Sequence, residues 1–277
     1  MDVNYRIVFR EDDDYVLLVD YIKKHNIEYE KLEDSPLITV NILKSSPHWE
    51  NVSKLVQLYS PIVHPKMIYT EEERLQAEWL HLWCVWHYDY PQPEDYYQDI
   101  IYDRTNYCEH CDIGVVQNES VRMKRTPKWG KRAFAMVNWI TDDLFVSEAT
   151  KAKLEQSGLT GFSFWGVKNK SGKEFLDDFY QIKFEFELPP GLCEQSSAIL
   201  GTSVCPICGR TKYKPNCEGQ LMFRKEAFEN APDIVRTLDH FGWKAAGRRI
   251  LVSQKMYRFI KEQKMDRSLE FEPVILV

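Results

Sequence analysis

The alternation of apolar and polar residues divides the chain into short elements of both kinds. Val3 to Phe9 has the two-residue period of a half-buried strand. Asp12-Asp13-Asp14 precedes Val16, Val19 and Ile22, whose spacing predicts a helix over Tyr15 to Lys24. Leu37 to Leu43 is rich in β-branched residues and predicts another strand. Beyond Ser46-Pro47 an amphipathic helix is expected through Trp49, Val52, Leu55 and Leu58. Pro61 and Pro65 read as a linker, followed by a short strand at Met67-Ile68-Tyr69. Thr70 and Glu73 have the spacing of a capping box. The helix they open is expected to bury Leu75, Trp79, Leu82, Trp83 and Trp86, and to end at Pro91-Gln92-Pro93. Farther on, Tyr180, Ile182, Phe184, Phe186 and Leu188 alternate with Gln181, Lys183, Glu185 and Glu187, which predicts one half-buried strand.

One stretch of this grammar occurs twice. Leu144-Phe145-Val146-Ser147, Leu154, Gly158-Leu159 and Phe164-Trp165-Gly166-Val167 have counterparts in Ile250-Leu251-Val252-Ser253, Ile260, Lys264-Met265 and Phe271-Glu272-Pro273-Val274, with one residue inserted. Each runs from an apolar strand into a serine suited to cap a helix, then through a turn to a second strand. The expected architecture is therefore α+β. A small N-terminal α/β unit covers residues 1–69, and a larger domain, 70–277, contains the two strand–helix–strand units, 144–167 and 250–274.

Composition narrows the function classes. With 277 residues, 44% hydrophobic, the chain can build a substantial core. No apolar run is long enough to span a bilayer and the start lacks a secretory pattern, so a cytoplasmic protein is expected. Seven cysteines, an odd number, fit a reducing compartment better than a disulfide framework. The net charge of −6 disfavours a general nucleic-acid binder.

Four of those cysteines form two pairs, Cys108-Glu109-His110-Cys111 and Cys205-Pro206-Ile207-Cys208. A two-residue gap lets both thiolates of a pair turn inward on one bend, and four thiolates complete the tetrahedral shell of a structural zinc ion. The long separation between the pairs predicts a staple across a whole subdomain, unlike a compact zinc ribbon. His110 and Cys217 are the alternative ligands nearby, and Cys84 and Cys193 read as buried thiols.

Catalytic signatures are missing from the sequence: no phosphate loop, no nucleophile elbow and no His-Glu-x-x-His helix. His48-Trp49-Glu50 matches only half of a deaminase signature. A binding protein, not an enzyme, is the expectation. One segment offers a second reading. Arg122, Lys124, Arg125, Lys128, Lys131 and Arg132 surround Trp129 and could track phosphates while the indole stacks a base. The same stretch also fits a solvated hairpin arm or a partner contact.

Cys108-x-x-Cys111, Cys205-x-x-Cys208-Gly209-Arg210, Leu144 to Val167 and Asp233-Ile234-Val235-Arg236 through Ile250-Leu251-Val252-Ser253 to Pro273-Val274 resemble the double-CXXCG-motif family of bacterial proteins. The resemblance covers about residues 98 to 277 and leaves the first seventy unmatched. Asp112 stands where that family's motif has glycine, with Gly114 two residues on. Members include immunity proteins, so the resemblance implies a cytoplasmic protein that binds and neutralises a cognate toxin, encoded nearby, without catalysing a reaction.

Overall fold

The computed structural model describes residues 1–277, apart from the side chain of Asp13. The chain is α+β and forms two compact units. The first is Met1–Glu73 together with Cys217–Gly219, and the second is Arg74–Asn216 with Gln220–Val277.

In the first unit, β1 (Asp2–Arg10), α1 (Val16–Lys24), β2 (Tyr29–Lys31), β3 (Leu37–Leu43), α2 (Trp49–Tyr59) and β4 (Ile62–Ile68) follow in order. The sheet is antiparallel, ordered β2-β3-β1-β4. Alternate residues of β1 and β3, from Val3 to Phe9 and Ile38 to Ile42, meet Leu18, Ile22 and Val52 of the helices in one core. The expected linker at Pro61–Pro65 is instead β4. It lies at a sheet edge, where a proline's missing N–H breaks no ladder.

The capping box at Thr70 forms as the sequence predicts. Glu73 N–H donates to the Thr70 hydroxyl, and Thr70 N–H donates to the Glu73 carboxylate. The helix is short, however: α3 is Glu71–Gln76, and the tryptophan-rich segment becomes strand β5 (Trp79–Cys84). That strand is central in its sheet and covered on both faces, so almost every residue is buried and no alternation appears. An apolar run of this kind does not distinguish strand from buried helix by period.

The second unit continues with β6 (His87–Tyr88), α4 (Tyr97–Ile101), β7 (Tyr102–Asp103), β8 (Val116–Gln117), β9 (Arg122–Met123), β10 (Phe134–Val137), β11 (Ile140–Val146), α5 (Glu148–Gln156) and β12 (Phe162–Asn169). Then come β13 (Phe175–Phe184), β14 (Glu187–Leu188), β15 (Ile199–Val204), β16 (Thr211–Pro215), β17 (Met222–Phe223), β18 (Ile234–Thr237), β19 (His240–Phe241), β20 (Ile250–Ser253), α6 (Gln254–Glu262), β21 (Leu269–Pro273) and β22 (Ile275–Leu276). Its two main sheets are ordered β6-β10-β11-β13-β12-β9 and β14-β18-β20-β5-β21. The single strand expected over Tyr180–Leu188 is thus split, with β13 in one sheet and β14 in the other.

These two sheets carry the same plan. In the first, β13 lies between β11 and β12 and runs antiparallel to both. In the second, β5 stands in the same relation to β20 and β21. The registers correspond residue by residue. Phe145 faces Gln181 and Phe164 faces Ile182, while Leu251 faces His81 and Phe271 faces Leu82. On the outer side, β10 pairs antiparallel with β11 and parallel with β6, and β18 does the same with β20 and β14. Two halves, β5 to β12 and β13 to β21, therefore repeat one topology. Each sends its first strand into the centre of the sheet built by the other. Corresponding residues also build the shared core: Leu82 and Ile182, Phe134 and Ile234, Val146 and Val252, Leu154 and Ile260.

Candidate metal centre

Each half inserts a cysteine knuckle at the same point of its topology, between its short strand (β6 or β14) and the strand that pairs parallel with it (β10 or β18). Local hydrogen bonds shape both knuckles alike. Cys108 N–H donates to the Ile113 carbonyl and Asp112 N–H to the Cys108 carbonyl, at 3.0 and 2.8 Å. In the second, Cys205 N–H donates to the Arg210 carbonyl and Gly209 N–H to the Cys205 carbonyl, both at 2.9 Å. The residue after each pair is left-handed, Asp112 with φ 59° and Gly209 with φ 71°. Asp112 therefore takes the conformation that glycine takes in the other knuckle, and its carboxylate accepts a 2.7 Å hydrogen bond from the Tyr107 hydroxyl.

The four sulfur atoms of Cys108, Cys111, Cys205 and Cys208 all lie within 4.8 Å of one another. Cys108 Sγ is 3.7 Å from Cys205 Sγ, and Cys111 Sγ is 3.6 Å from Cys208 Sγ. Both distances are far too long for a disulfide. They match the edge of a tetrahedron about 3.8 Å long that sulfur atoms make at about 2.3 Å from zinc. The cluster could hold a metal ion, and each contact joins corresponding cysteines of the two halves. Neither His110 nor Cys217 belongs to it. Cys84 and Cys193 are buried thiols away from it.

The surroundings suit a cluster of negative charge. Lys212, almost fully buried, donates from Nζ to the carbonyls of Cys111 (3.2 Å) and Lys244 (2.6 Å). A divalent cation held by four thiolates would carry two net negative charges and offset this buried ammonium. Arg210 Nη1 donates to the carbonyls of Asn106 and Ile113, so the second half clamps the loop of the first. The thiols differ in acidity. Burial works against the Cys205 thiolate, but the Cys208 and Ile207 N–H groups outweigh it and bring the pKa down to about 6. Burial pushes Cys111 up to about 12. A bound cation would favour the thiolate at every one of the four.

The basic segment is not brought to this centre as a unit. Trp129 is buried, packs edge-on against Trp86 and Phe179, and donates from Nε1 to the Asp178 carbonyl. It is a core residue and offers no face for stacking a base, which corrects the expectation from sequence. Arg122 is half-buried, and Lys124 pairs with Glu94 at 2.8 Å. Arg132 lies over the Trp86 ring at 4.6 Å. Arg125, Lys128 and Lys131 are exposed.

Sequence reasoning missed a polar cluster between the halves: Asp142, Asp143, Gln181, Glu187, Arg236 and Arg248. These residues are scattered over more than a hundred positions, and only the pairing of the two sheets brings them together. A comparison with protein-family models gives no match, and a search of curated proteins gives none either. Among the described residues, no helix is long and apolar enough to cross a membrane.

Proposed function

We propose that this chain is a binding protein of the immunity type, which holds a toxin in a neutral complex inside the cell and catalyses no reaction. The observation that supports this reading is the ligand set itself. Four cysteines fill the four positions of a tetrahedral ion and leave none for a substrate, so the ion's role is to join the two halves. The metal we propose is zinc, by the match of sulfur separations to its tetrahedron and by the all-thiolate donor set. Cys108, Cys111, Cys205 and Cys208 would hold it. The resemblance to the double-CXXCG-motif family supplies the immunity reading.

Co-expression with the toxin encoded beside it is the decisive experiment. The expected result is restored growth and a stable complex, and cells that die despite full expression of this protein would overturn the proposal. Elemental analysis tests the metal separately. About one zinc per chain is expected, lost in Cys108→Ala and Cys205→Ala variants together with much of the folding stability, since a structural zinc contributes an apparent ~10 kcal/mol to the folded state.

A further inference from the structure

Trp139 holds a backbone conformation that a tryptophan has no intrinsic reason to adopt. Val137 pairs with Ile140, so Asn138-Trp139 is a two-residue turn between β10 and β11. Within it Trp139 has φ 68°, a left-handed value favoured by glycine and asparagine and disfavoured by bulky residues. The strain does not serve to bury the indole, which remains 54% exposed. Neighbouring rings hold it in place. Tyr97 is stacked on it at 5.9 Å and Tyr90 is tilted against it at 4.5 Å. Asn138 fixes the turn by donating from its N–H and its Nδ2 to the Asp89 carbonyl. Tyr90, and Tyr96 next to Tyr97, are exposed as well.

A second, independent observation says what this surface lacks. Three other tryptophans, Trp243 exposed and Trp86 and Trp165 half-buried, each carry a cation of this chain. Arg132 lies over Trp86 at 4.6 Å, Lys183 over Trp165 at 4.4 Å and Lys214 over Trp243 at 5.4 Å. Among the described residues, no Lys or Arg lies over Trp139. The segment that carries Tyr90, Tyr96 and Tyr97 is acidic: Asp89, Glu94, Asp95 and Asp99 fall between positions 89 and 99, with no Lys or Arg among them. Glu94 and Asp99 are paired with Lys124 and Arg104, whereas Asp95 is exposed.

We propose that Trp139, with Tyr90 and Tyr96 beside it, is the docking surface for an arginine-bearing segment of a partner protein. The planar guanidinium stacks on the open indole face, and the acidic surroundings attract its charge. A rigid, exposed tryptophan flanked by tyrosines is also the residue set that dominates binding energy at interfaces. Strain kept at an exposed side chain is then explained by presentation of that side chain. The inference deepens the binding role proposed above and rests on it for the partner's being a toxin, but not for the surface itself.

The test uses the full chain and a labelled peptide of six Arg-Gly repeats, followed by fluorescence anisotropy at physiological ionic strength. Trp139→Gly and Trp139→Asn are compared with Trp243→Ala, which removes the other strongly exposed indole. Both Trp139 variants are expected to bind at least about tenfold more weakly while their thermal midpoints hold or rise, because each relieves the left-handed strain. The Trp243→Ala protein is expected to bind like the wild type. Equal binding by wild type and Trp139 variants, a fall in midpoint large enough to account for the lost binding, equal binding of a Glu-Gly peptide, or no wild-type binding at about 1 mM peptide would each overturn the inference. The toxin assay separates it from the immunity reading. Peptide binding without rescue leaves the surface standing and removes the toxin. Full rescue by Trp139→Gly retains the immunity reading and removes the toxin as the partner of this surface.

Discussion

At the scale of single residues, the two knuckles pose the same conformational demand and meet it differently. Gly209 adopts φ 71° at no steric cost, and a Cβ added there would meet nothing within 4 Å. Asp112 adopts φ 59° and anchors its carboxylate on Tyr107. A left-handed residue with a Cβ costs roughly 1–2 kcal/mol, less for aspartate, whose short polar side chain bonds locally. Gly209→Val is therefore expected to destabilise by at least that amount through backbone strain alone, since the space is open, and to loosen the metal. Asp112→Gly is expected to change stability by less than ~1 kcal/mol. Chemical denaturation with parallel metal analysis checks both. An unaffected Gly209→Val protein would mean that the second knuckle is not held in the left-handed state. The departure from glycine at position 112 was legible in the sequence, but its harmlessness was not, because it depends on a φ value and on a tyrosine five residues upstream.

Among the elements, legibility followed the kind of burial. Strands with one covered face, such as β1 and β3, alternate visibly, and the helices α1 and α2 show their periodic apolar positions. Central strand β5 does not, because both its faces are packed, and its sequence reads as a continuation of α3. Its flanking strands come from the far end of the chain, so no local pattern could announce them. The serine caps, in contrast, are purely local and were legible. Ser147 Oγ accepts from Thr150 N–H and Ser253 Oγ accepts from Met256 N–H, each at 3.2 Å. Ser147→Ala and Ser253→Ala should each cost about 1 kcal/mol. The second is expected to cost more, because Ser253 Oγ also donates to Asp233 Oδ1 at 2.8 Å and its removal takes that donor from one oxygen of the carboxylate, while the other keeps Thr160. Equal losses in urea denaturation would count against that added role.

Across the whole molecule, the correspondence of the two halves extends from the cysteines to charge. The registers align Val146 with Val252, since these face Phe134 and Ile234 in turn. Four residues before each stand Asp142 and Arg248, corresponding positions of opposite charge that form an ion pair at 3.0 Å. Two identical halves would place like charges here, so complementarity at this point requires the halves to differ. Arg236, which corresponds to Met136, reaches Asp143 at 2.8 Å in the same cluster. The Asp142–Arg248 pair is half-buried, and removing one partner costs at most the 3–5 kcal/mol, roughly, of a fully buried pair. Asp142→Arg and Arg248→Asp should each lose up to this much, since each sets like charges together. The double exchange should recover most of it by restoring the pair with its direction reversed. The measurement belongs at pH 7.5. Burial outweighs the pull of Arg236 and raises Asp143 to about 6, so at that pH its carboxylate is charged in the wild type. Recovery in the double variant assigns the energy to the contact between corresponding residues of the halves. If the double variant is as unstable as the sum of the singles, each charge instead answers to its other neighbours, Glu187 for Arg248 and Arg236 for Asp142.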